Sequence, residues 1–442
     1  MNYLDNIFFA IILGLGVGFF AINIKKIIRN INLGQDVNRS DNSSARWRNM
    51  AMIALGQSKM VKRPIAGFLH IIVYAGFIII NIEVLEIIID GLFGTHRVFS
   101  SLGVVYNFLI GSFEILAFLV LIAVIVFLIR RNIIKLKRFV SSDLKGWPKS
   151  DANYILYFEI VLMSFFLLMN AADYHLQLLG FGHYHTAGSF PVSQFIEPIF
   201  NGMAESSVMM IERTIWWLHI IGILIFLNYL YFSKHLHILL AFPNTYFADL
   251  HPKGQFDNLA SVTKEVKLMM DPNADPFAAQ PIDENATPTK FGAQDVQDLN
   301  WVQLLNAYTC TECGRCTSAC PANQTGKKLS PRKIMMDTRD RLEEVGKNID
   351  KNKGIFIPDN KTLLNDYITT EELWACTSCN ACVEECPVNI SPLSIIMDMR
   401  RYLVMEQSAA PQSLNAMMTN IENNGAPWQY NQQDRLNWKN EL

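Results

Sequence analysis

The chain has 442 residues, of which 50% are hydrophobic and only 18% are charged. A soluble globular chain is nearer a quarter charged, so this composition excludes a disordered protein and argues against a purely soluble one. The net charge of −2 gives no reason to expect a nucleic-acid partner. All eight cysteines lie between Cys310 and Cys386, so the apolar part and the cysteine-rich part occupy opposite ends of the chain.

Five apolar stretches in the first half of the chain predict membrane-spanning helices. Each is about 19 residues or longer, which is enough for a helix to cross a ~30 Å hydrocarbon core. Soluble helices this long and this apolar are uncommon, so the pattern predicts a five-span bundle. The stretches are residues 6–24, 64–82, 102–129, 152–172 and 214–233.

The distribution of Lys and Arg predicts how the bundle is oriented. The loops 25–63 and 130–149 hold nine and seven basic residues, whereas the loops on the other side hold Arg97 alone. Cytoplasmic loops carry the excess of basic residues, so we expect the N-terminus outside and the C-terminal part in the cytoplasm. The expected location is the bacterial cytoplasmic (inner) membrane.

Composition divides the chain into four parts. We expect a transmembrane domain over residues 1–240 and a polar linker or covering segment over 241–300, with a short helix near 262–270. A cysteine-rich domain follows over 301–406. The remaining tail, 407–442, is rich in Asn and Gln, and we expect it to be poorly ordered.

Two runs of cysteines share the pattern C-x2-C-x2-C-x3-C-P, the bacterial ferredoxin pattern for [4Fe–4S] clusters. The first three thiolates of a run bind one cluster, and the fourth binds the other cluster. The predicted ligands of the first cluster are Cys310, Cys313, Cys316 and Cys386. Those of the second cluster are Cys376, Cys379, Cys382 and Cys320. Zinc sites fit a third cysteine in each run poorly, and disulfides are uncommon in the cytoplasm.

The residues around the cysteine runs predict helices with clear starts. Ser330 and Ser391 each precede a proline at a first helical position, and Thr369 and Glu372 form a capping-box pattern. This region resembles the α-helical ferredoxin domain of heterodisulfide reductase small subunits and of succinate dehydrogenase iron–sulfur subunits. The predicted fold is therefore all-α, with a five-span transmembrane helical bundle followed by a cytoplasmic ferredoxin-type domain.

Three histidines lie in or near the predicted spans, where an imidazole is costly unless it has a partner. His70 lies in the second span, and His219 and His237 lie on or just beyond the fifth. The 18 residues from His219 to His237 make five helical turns, so both side chains share one face if the helix continues unbroken. His235 then falls on nearly the opposite face, and we expect it to be a cytoplasmic interface residue.

The five-span layout, the sequence around His70 and the run from Ser233 to His237 resemble the cytochrome b (γ) subunit of respiratory nitrate reductases and the membrane subunit of heterodisulfide reductase. In that family four histidines of spans two and five bind two b haems. The resemblance implies that His70 and His237 ligate the haem nearer the cytoplasm and that His219 ligates the outer haem. Ile80 stands at the fourth ligand position, which puts the second haem in question. Other candidate outer ligands are His96, His175, His183 and His185.

Two carboxylates lie inside apolar runs, Glu114 in the third span and Glu159 in the fourth. One interpretation is a proton route to a quinone, because a carboxylate in a low-dielectric site can cycle its charge. The other interpretation is a hydrogen-bonded structural role within the bundle. Both interpretations stay open at the level of the sequence.

Together these parts predict a membrane-bound electron-transfer subunit of a quinone-linked oxidoreductase. Two [4Fe–4S] clusters and one or two b haems form a path for single electrons between a cytoplasmic redox partner and a quinone, with menaquinone expected. Two alternatives stay open: an iron–sulfur membrane anchor without haem, and a subunit of a redox-driven ion pump. No Rossmann or P-loop glycine pattern is present, so we expect no flavin or nicotinamide site.

We expect a partner chain to supply the substrate chemistry. Relatives that fuse this membrane domain to the same ferredoxin domain often continue into cysteine-rich CCG domains, whereas the last cysteine here is Cys386. The candidate partners are a CCG-type subunit, a 2-hydroxy-acid dehydrogenase and an electron-transfer flavoprotein.

Overall fold

The computed structural model describes residues 3–273 and 290–440. Over these residues the chain forms helices, with two isolated β-bridges and no β-strand. The all-α prediction is therefore confirmed. The predicted linker falls in part on residues 274–289, which lie outside the described residues.

The first six helices confirm the five predicted spans. In chain order they are α1 (Tyr3–Ile31), α2 (Ser43–Met50), α3 (Pro64–Phe93), α4 (Val104–Leu128), α5 (Trp147–Leu179) and α6 (Glu205–Tyr229). All except the short α2 are long and apolar enough to cross a membrane, with 28 to 33 residues in each span. Proline in the first turn begins α3 and α5, and a left-handed glycine, Gly94 or Gly180, ends each of them.

The five spans close into a ring. Helix α1 packs against α3 and α6, α4 lies between α3 and α5, and α5 packs along α6. Two glycines allow close approaches between neighbours. A Cβ at Gly76 would lie 2.5 Å from Val120 of α4, and one at Gly222 would lie 2.9 Å from Leu162 of α5. A larger residue at either position would push the two helices apart.

The two ends of the bundle differ in what covers them. The proximal end, formed by the last turns of α1 and the first turns of α3 and α5, carries the cysteine-rich domain. There Asn30 donates to Tyr308 Oη at 2.9 Å, and the buried Arg332 pairs with Asp143 at 2.7 Å. One apolar cluster continues from α1, α5 and α6 into the cysteine-rich domain. The opposite end, which includes the loops after α3 and α5, is called the distal end.

The fifth span does not continue unbroken to His237. Helix α6 ends at Tyr229, a 3-10 turn follows, and Ser233 is extended, with φ −116° and ψ 146°. A second short turn leads into α7 (His237–Tyr246). The expectation that His219 and His237 share one helix face is therefore wrong, because the backbone between them leaves the helix.

The helices after α7 are short, with two exceptions. They are α8 (Ala260–Met270), α9 (Trp301–Thr309), α10 (Arg315–Ala319), α11 (Pro321–Gln324), α12 (Pro331–Lys351), α13 (Leu363–Asp366), α14 (Thr370–Trp374), α15 (Ala381–Glu385), α16 (Pro392–Met405) and α17 (Gln412–Asn424). Helix α8 lies where a short helix was predicted, and α12, α14 and α16 begin after Ser330, Thr369 and Ser391 as predicted. Helix α17 corrects the expectation of a poorly ordered tail; Gly425, with φ 64°, ends it.

Candidate functional site

The first pocket of the cysteine-rich domain is lined by cysteines from both runs. Cys310 ends α9, Cys313 lies in the following loop and Cys316 lies in α10. Gly314, with φ 69°, turns this loop. Cys386 reaches the same pocket from the end of α15, because α10 and α15 pack against each other. The first pocket thus brings together the four thiols predicted for the first cluster.

The second pocket is lined by the other four cysteines. Cys320 precedes α11, Cys376 and Cys379 lie in the loop after α14, and Cys382 lies in α15. Cys382 also borders the first pocket, so the two pockets adjoin. All eight cysteines are free thiols. The structure brings each predicted set of four together, while the assignment of individual ligands to irons stays a prediction.

The electrostatics of these thiols fit a metal cluster. Burial raises the pKa of Cys310 to about 12, that of Cys382 to about 12 and that of Cys386 to about 11, because apolar surroundings disfavour the thiolate. A thiolate in such a pocket needs a positive partner, which bound iron supplies. Four converging sulfurs in each pocket are the donor set that an iron–sulfur cluster requires.

Three imidazoles converge at the proximal end of the bundle. The ring centroid of His235 lies 5.4 Å from that of His237 and 5.4 Å from that of Phe226. His70 of α3 is close enough to both imidazoles for their charges to interact. The expectation that His235 is an interface residue is therefore wrong, because the break at Ser233 folds it back onto α6.

The hydrogen bonding of His237 suits a metal ligand. Its Nδ1 lies 3.1 Å from the carbonyl oxygen of Lys234, which can only accept, so Nδ1 carries the hydrogen and Nε2 keeps its lone pair. Burial lowers the pKa of His237, and burial lowers that of His235 to about 3, so both rings are neutral. Nδ1 of His70 is buried and has no hydrogen-bond partner among the described residues. These imidazoles fit the axial ligands of one b haem.

His219 lies in the middle of the bundle. It is 2% exposed, its ring centroid lies 6.1 Å from that of Phe166, and its Nδ1 has no hydrogen-bond partner in the described part of the chain. Ile80, at the expected fourth ligand position, is buried against Tyr106 and Phe166. A further apolar cluster packs α1, α3, α5 and α6 together: Phe9, Ile87, Met169, Trp216 and Ile220.

The four candidate outer ligands lie at the distal end. His175 pairs with a glutamate of the loop after α5 at 2.6 Å, and His96 pairs with an aspartate of α5 at 3.1 Å. His183 and His185 are exposed on the loop after α5. His219 lies 14 residues into α6, about 21 Å along the axis from the distal start of that helix. The structure therefore does not bring these histidines to His219, and the residues present do not fit a second haem.

The two membrane carboxylates differ in their surroundings. Glu114 is fully buried, and its Oε2 accepts hydrogen bonds from the backbone N–H of Val192 at 2.9 Å and of Ser193 at 3.0 Å. Asn170 donates to its Oε1 at 3.3 Å. Glu114 therefore anchors the loop after α5, which supports its structural interpretation. Glu159 is half-buried on α5.

A buried arginine joins the first pocket to the proximal end. Arg315 lines the pocket and donates to the carbonyl of Lys59 at 3.2 Å, in the loop before α3. Arg315 is also close enough to His70 for their charges to interact. Lys59 donates to the carbonyl of Cys386 at 3.4 Å. Sequence reasoning did not find Arg315, because nothing in the cysteine run distinguishes it from a solvated charge.

Sequence reasoning also did not find a buried ion pair at the distal end. Nε of Arg97 lies 2.8 Å from Oδ2 of Asp173, and both residues are buried. A signal was available, because Arg97 is the single basic residue between the second and third spans. It served to predict orientation, whereas its isolation also marks a residue held by the bundle.

Comparisons with known proteins agree with the geometry of the cysteines. Residues 309–390 match the model of a 4Fe-4S dicluster domain. Over 98% of its length the chain is 30% identical to the probable iron-sulfur-binding oxidoreductase FadF of Bacillus subtilis. Over 92% of its length it is 27% identical to the EtfAB:quinone oxidoreductase of Syntrophomonas wolfei. The chain spans 60% and 55% of these two relatives, respectively. No solved structure matches it significantly.

A shorter match concerns a membrane protein. Over 36% of its length the chain is 32% identical to a probable membrane-anchored ferredoxin of Chromohalobacter salexigens, and it covers 26% of that relative. The resemblance to heterodisulfide reductase holds for the iron–sulfur part, which is similar to a small subunit of that enzyme. The chain is thus an iron–sulfur electron-transfer protein whose five apolar helices make it a multi-pass membrane protein.

Proposed function

We propose that the chain carries electrons between a cytoplasmic redox partner and the membrane quinone pool through two [4Fe–4S] clusters and one b haem. The observation that carries this proposal is the placement of the two pockets. The first pocket adjoins the proximal end beside His70, whereas Cys379 of the second pocket is exposed. The second pocket is therefore the proposed contact with the cytoplasmic partner, and the first pocket is the proposed link to the membrane.

An ion pair ties the two proposed redox sites together. Glu312 lies between Cys310 and Cys313 in the loop of the first pocket, and it pairs with Lys234. The carbonyl of the same Lys234 accepts the hydrogen bond from His237. One residue therefore contacts the cysteine loop with its side chain and orients the proposed haem ligand with its backbone. Such a link fixes the separation of two electron carriers.

His70 and His237 are the proposed axial ligands of the haem. A bound haem supplies one-electron transfer at the proximal side of the bundle. The chain contributes two neutral imidazoles from α3 and the start of α7, one of them with its tautomer fixed. A single haem is proposed because the fourth ligand position, Ile80, lies within an apolar cluster.

The proposed membrane is the bacterial cytoplasmic membrane, with the proximal end on the cytoplasmic side. The two basic loops, 25–63 and 130–149, lie at the proximal end together with the iron–sulfur domain, as the positive-inside rule requires. The name of the relative from Syntrophomonas wolfei supports a quinone as the membrane reactant and an electron-transfer flavoprotein as the cytoplasmic partner. Menaquinone is the proposed quinone, and a CCG-type subunit or a dehydrogenase is the alternative partner.

The experiment is an optical and magnetic titration of the purified full-length protein in detergent. We expect two [4Fe–4S] clusters by electron paramagnetic resonance and one b haem per chain by pyridine haemochrome assay. Adding menaquinol should reduce the haem and raise a b-type α band. Cubane clusters without any porphyrin, and without a response to menaquinol, would reduce the function to that of a haem-free iron–sulfur anchor.

A further inference from the structure

The distal end buries a polar cluster that the proposed electron path does not use. Arg97 is 7% exposed, and its guanidinium donates to Asp173 at 2.8 Å, Asn170 at 2.9 Å and Tyr106 at 3.1 Å. Its backbone lies in the left-handed region, with φ 51°, a conformation that a non-glycine residue adopts only when its surroundings hold it there. The loop after α3 is therefore bent to place a charge inside the bundle.

Two carboxylates of α3 hold this loop in place. Glu86 accepts hydrogen bonds from the N–H of Phe99 at 2.8 Å and from the hydroxyl of Tyr106 at 3.0 Å. Asp90 accepts from the N–H of Arg97 at 2.7 Å. Both carboxylates thus have partners, and their role is to fix the position of Arg97.

Glu83, one turn earlier on α3, lacks such partners. It is 3% exposed, and its Oε2 makes no hydrogen bond to any described residue. The titratable groups that face it come from every neighbouring element and are Glu86, Arg97, Tyr106, Glu114 and Asp173. The guanidinium of Arg97 is already paired with Asp173, so an ionised Glu83 would be a buried charge without a counter-charge. A carboxyl group in that situation keeps a proton.

A line of side chains joins this cluster to the surface. Oδ2 of Asp173 lies 3.1 Å from Nε2 of His96. The ring centroid of His96 lies 5.0 Å from that of His183, which is exposed and stacks on Tyr184 at 4.3 Å. Imidazoles take up and release protons near neutral pH. The line therefore connects a buried acid with groups that can exchange protons with water.

We propose that Glu83 is a proton-binding site that exchanges protons with the distal aqueous side through Asp173, His96 and His183. Its ligand is the proton that is set free when a hydroquinone is oxidised: the hydroquinone loses two O–H protons and two electrons and becomes a quinone. The electrons reduce the haem iron one at a time, and the protons leave through the distal line. This source of protons rests on the proposed function, whereas the existence of the site does not.

Infrared spectroscopy of the purified full-length protein tests the site without requiring quinone turnover. A protonated carboxyl group has its own C=O stretching band, separate from that of a carboxylate. We expect Glu83→Gln to remove one such band at neutral pH and the control Glu159→Gln to leave that band in place. A spectrum that Glu83→Gln does not change in this region overturns the proposal.

Deuterium exchange tests the route. After transfer into D2O the Glu83 band shifts, and we expect His96→Phe and His183→Phe to slow this shift by about tenfold or more. His185→Phe is the matched control, because His185 is an exposed histidine of the same loop outside the line. Equal exchange in all three variants overturns the route. If the infrared results hold while menaquinol fails to reduce the haem, the proton site stands and the proposed function fails.

Discussion

The iron–sulfur domain and the membrane bundle place their functional residues along the chain in opposite ways. In the domain, eight cysteines lie in two short runs, 310–320 and 376–386, so local spacing already sets three of the four ligands of each pocket. In the bundle, His70, His235 and His237 come from separate helices and turns and meet only through packing. Local chemistry can therefore be read from spacing, whereas the membrane site depends on how the backbone runs between spans.

The largest expected effect tests the crossed sharing of cysteines between the runs. Cys386→Ser removes a ligand of the first pocket although it lies in the second run, so we expect loss of the cluster next to the membrane. Electron transfer from the cytoplasmic side to the haem should then stop. Cys320→Ser is the matched variant, and it should remove the other cluster. Iron and sulfide analysis with electron paramagnetic resonance measures both losses.

An uncrossed arrangement gives a different result. If each run held a cluster with its own four cysteines, Cys386→Ser would damage the cluster of Cys376, Cys379 and Cys382 instead. The exposed second pocket and the enclosed first pocket differ in solvent access, so their clusters should have distinguishable spectra. A Cys386→Ser protein that retains both clusters would contradict the placement of that thiol.

The next effect concerns the haem. We expect His70→Ala and His237→Ala each to abolish the b-type α band, because each removes one of two axial ligands. His219→Ala is the control within the same bundle, and it should retain the full amount of haem. The measurement is a pyridine haemochrome assay on membranes that contain equal amounts of the protein. A His219→Ala protein that loses half of its haem would restore a second haem to the bundle.

The comparison also shows how far the sequence could lead. The five spans, the cysteine sets and the helix starts at Ser330, Thr369 and Ser391 follow from runs of at most about 20 residues, and the structure agrees with them. The place of His235 was predicted wrongly, because five turns of helix were assumed across Ser233. No local pattern signals an extended residue there. The outcome depends on the tertiary contacts of the turn that follows.

Charged residues show the same limit. Arg97, Arg315 and Glu312 are each unremarkable in sequence, and each is buried against a partner far away along the chain. Glu114 belonged to an apolar run and was open to a proton-carrying role, but two backbone N–H groups of a distant loop bind it. Partners separated by tens of residues leave no spacing that a reader of the sequence could use.

A third effect measures how strongly the two regions are joined. Arg332 is 1% exposed and binds Asp143, so Arg332→Ala leaves a buried carboxylate without its counter-charge. We expect the free energy of unfolding to fall by about 3–5 kcal/mol, as for other broken buried pairs. Thermal unfolding followed by the loss of cluster absorbance measures this change. Lys328→Ala, which removes an exposed pair with Glu371, should leave the unfolding midpoint unchanged.

The smallest effect is confined to the domain. Thr369 accepts a hydrogen bond from the N–H of Glu372 at 3.3 Å, and Glu372 accepts one from the N–H of Thr369 at 2.9 Å. We expect Thr369→Ala to lower the free energy of unfolding by about 1 kcal/mol, the usual cost of a lost helix cap. Thr370→Ala, at the next residue, is the control and should cost less. Both variants should keep the haem band, because the cap acts on its own helix, whereas a loss of haem would mean that local structure in the domain also holds the membrane site.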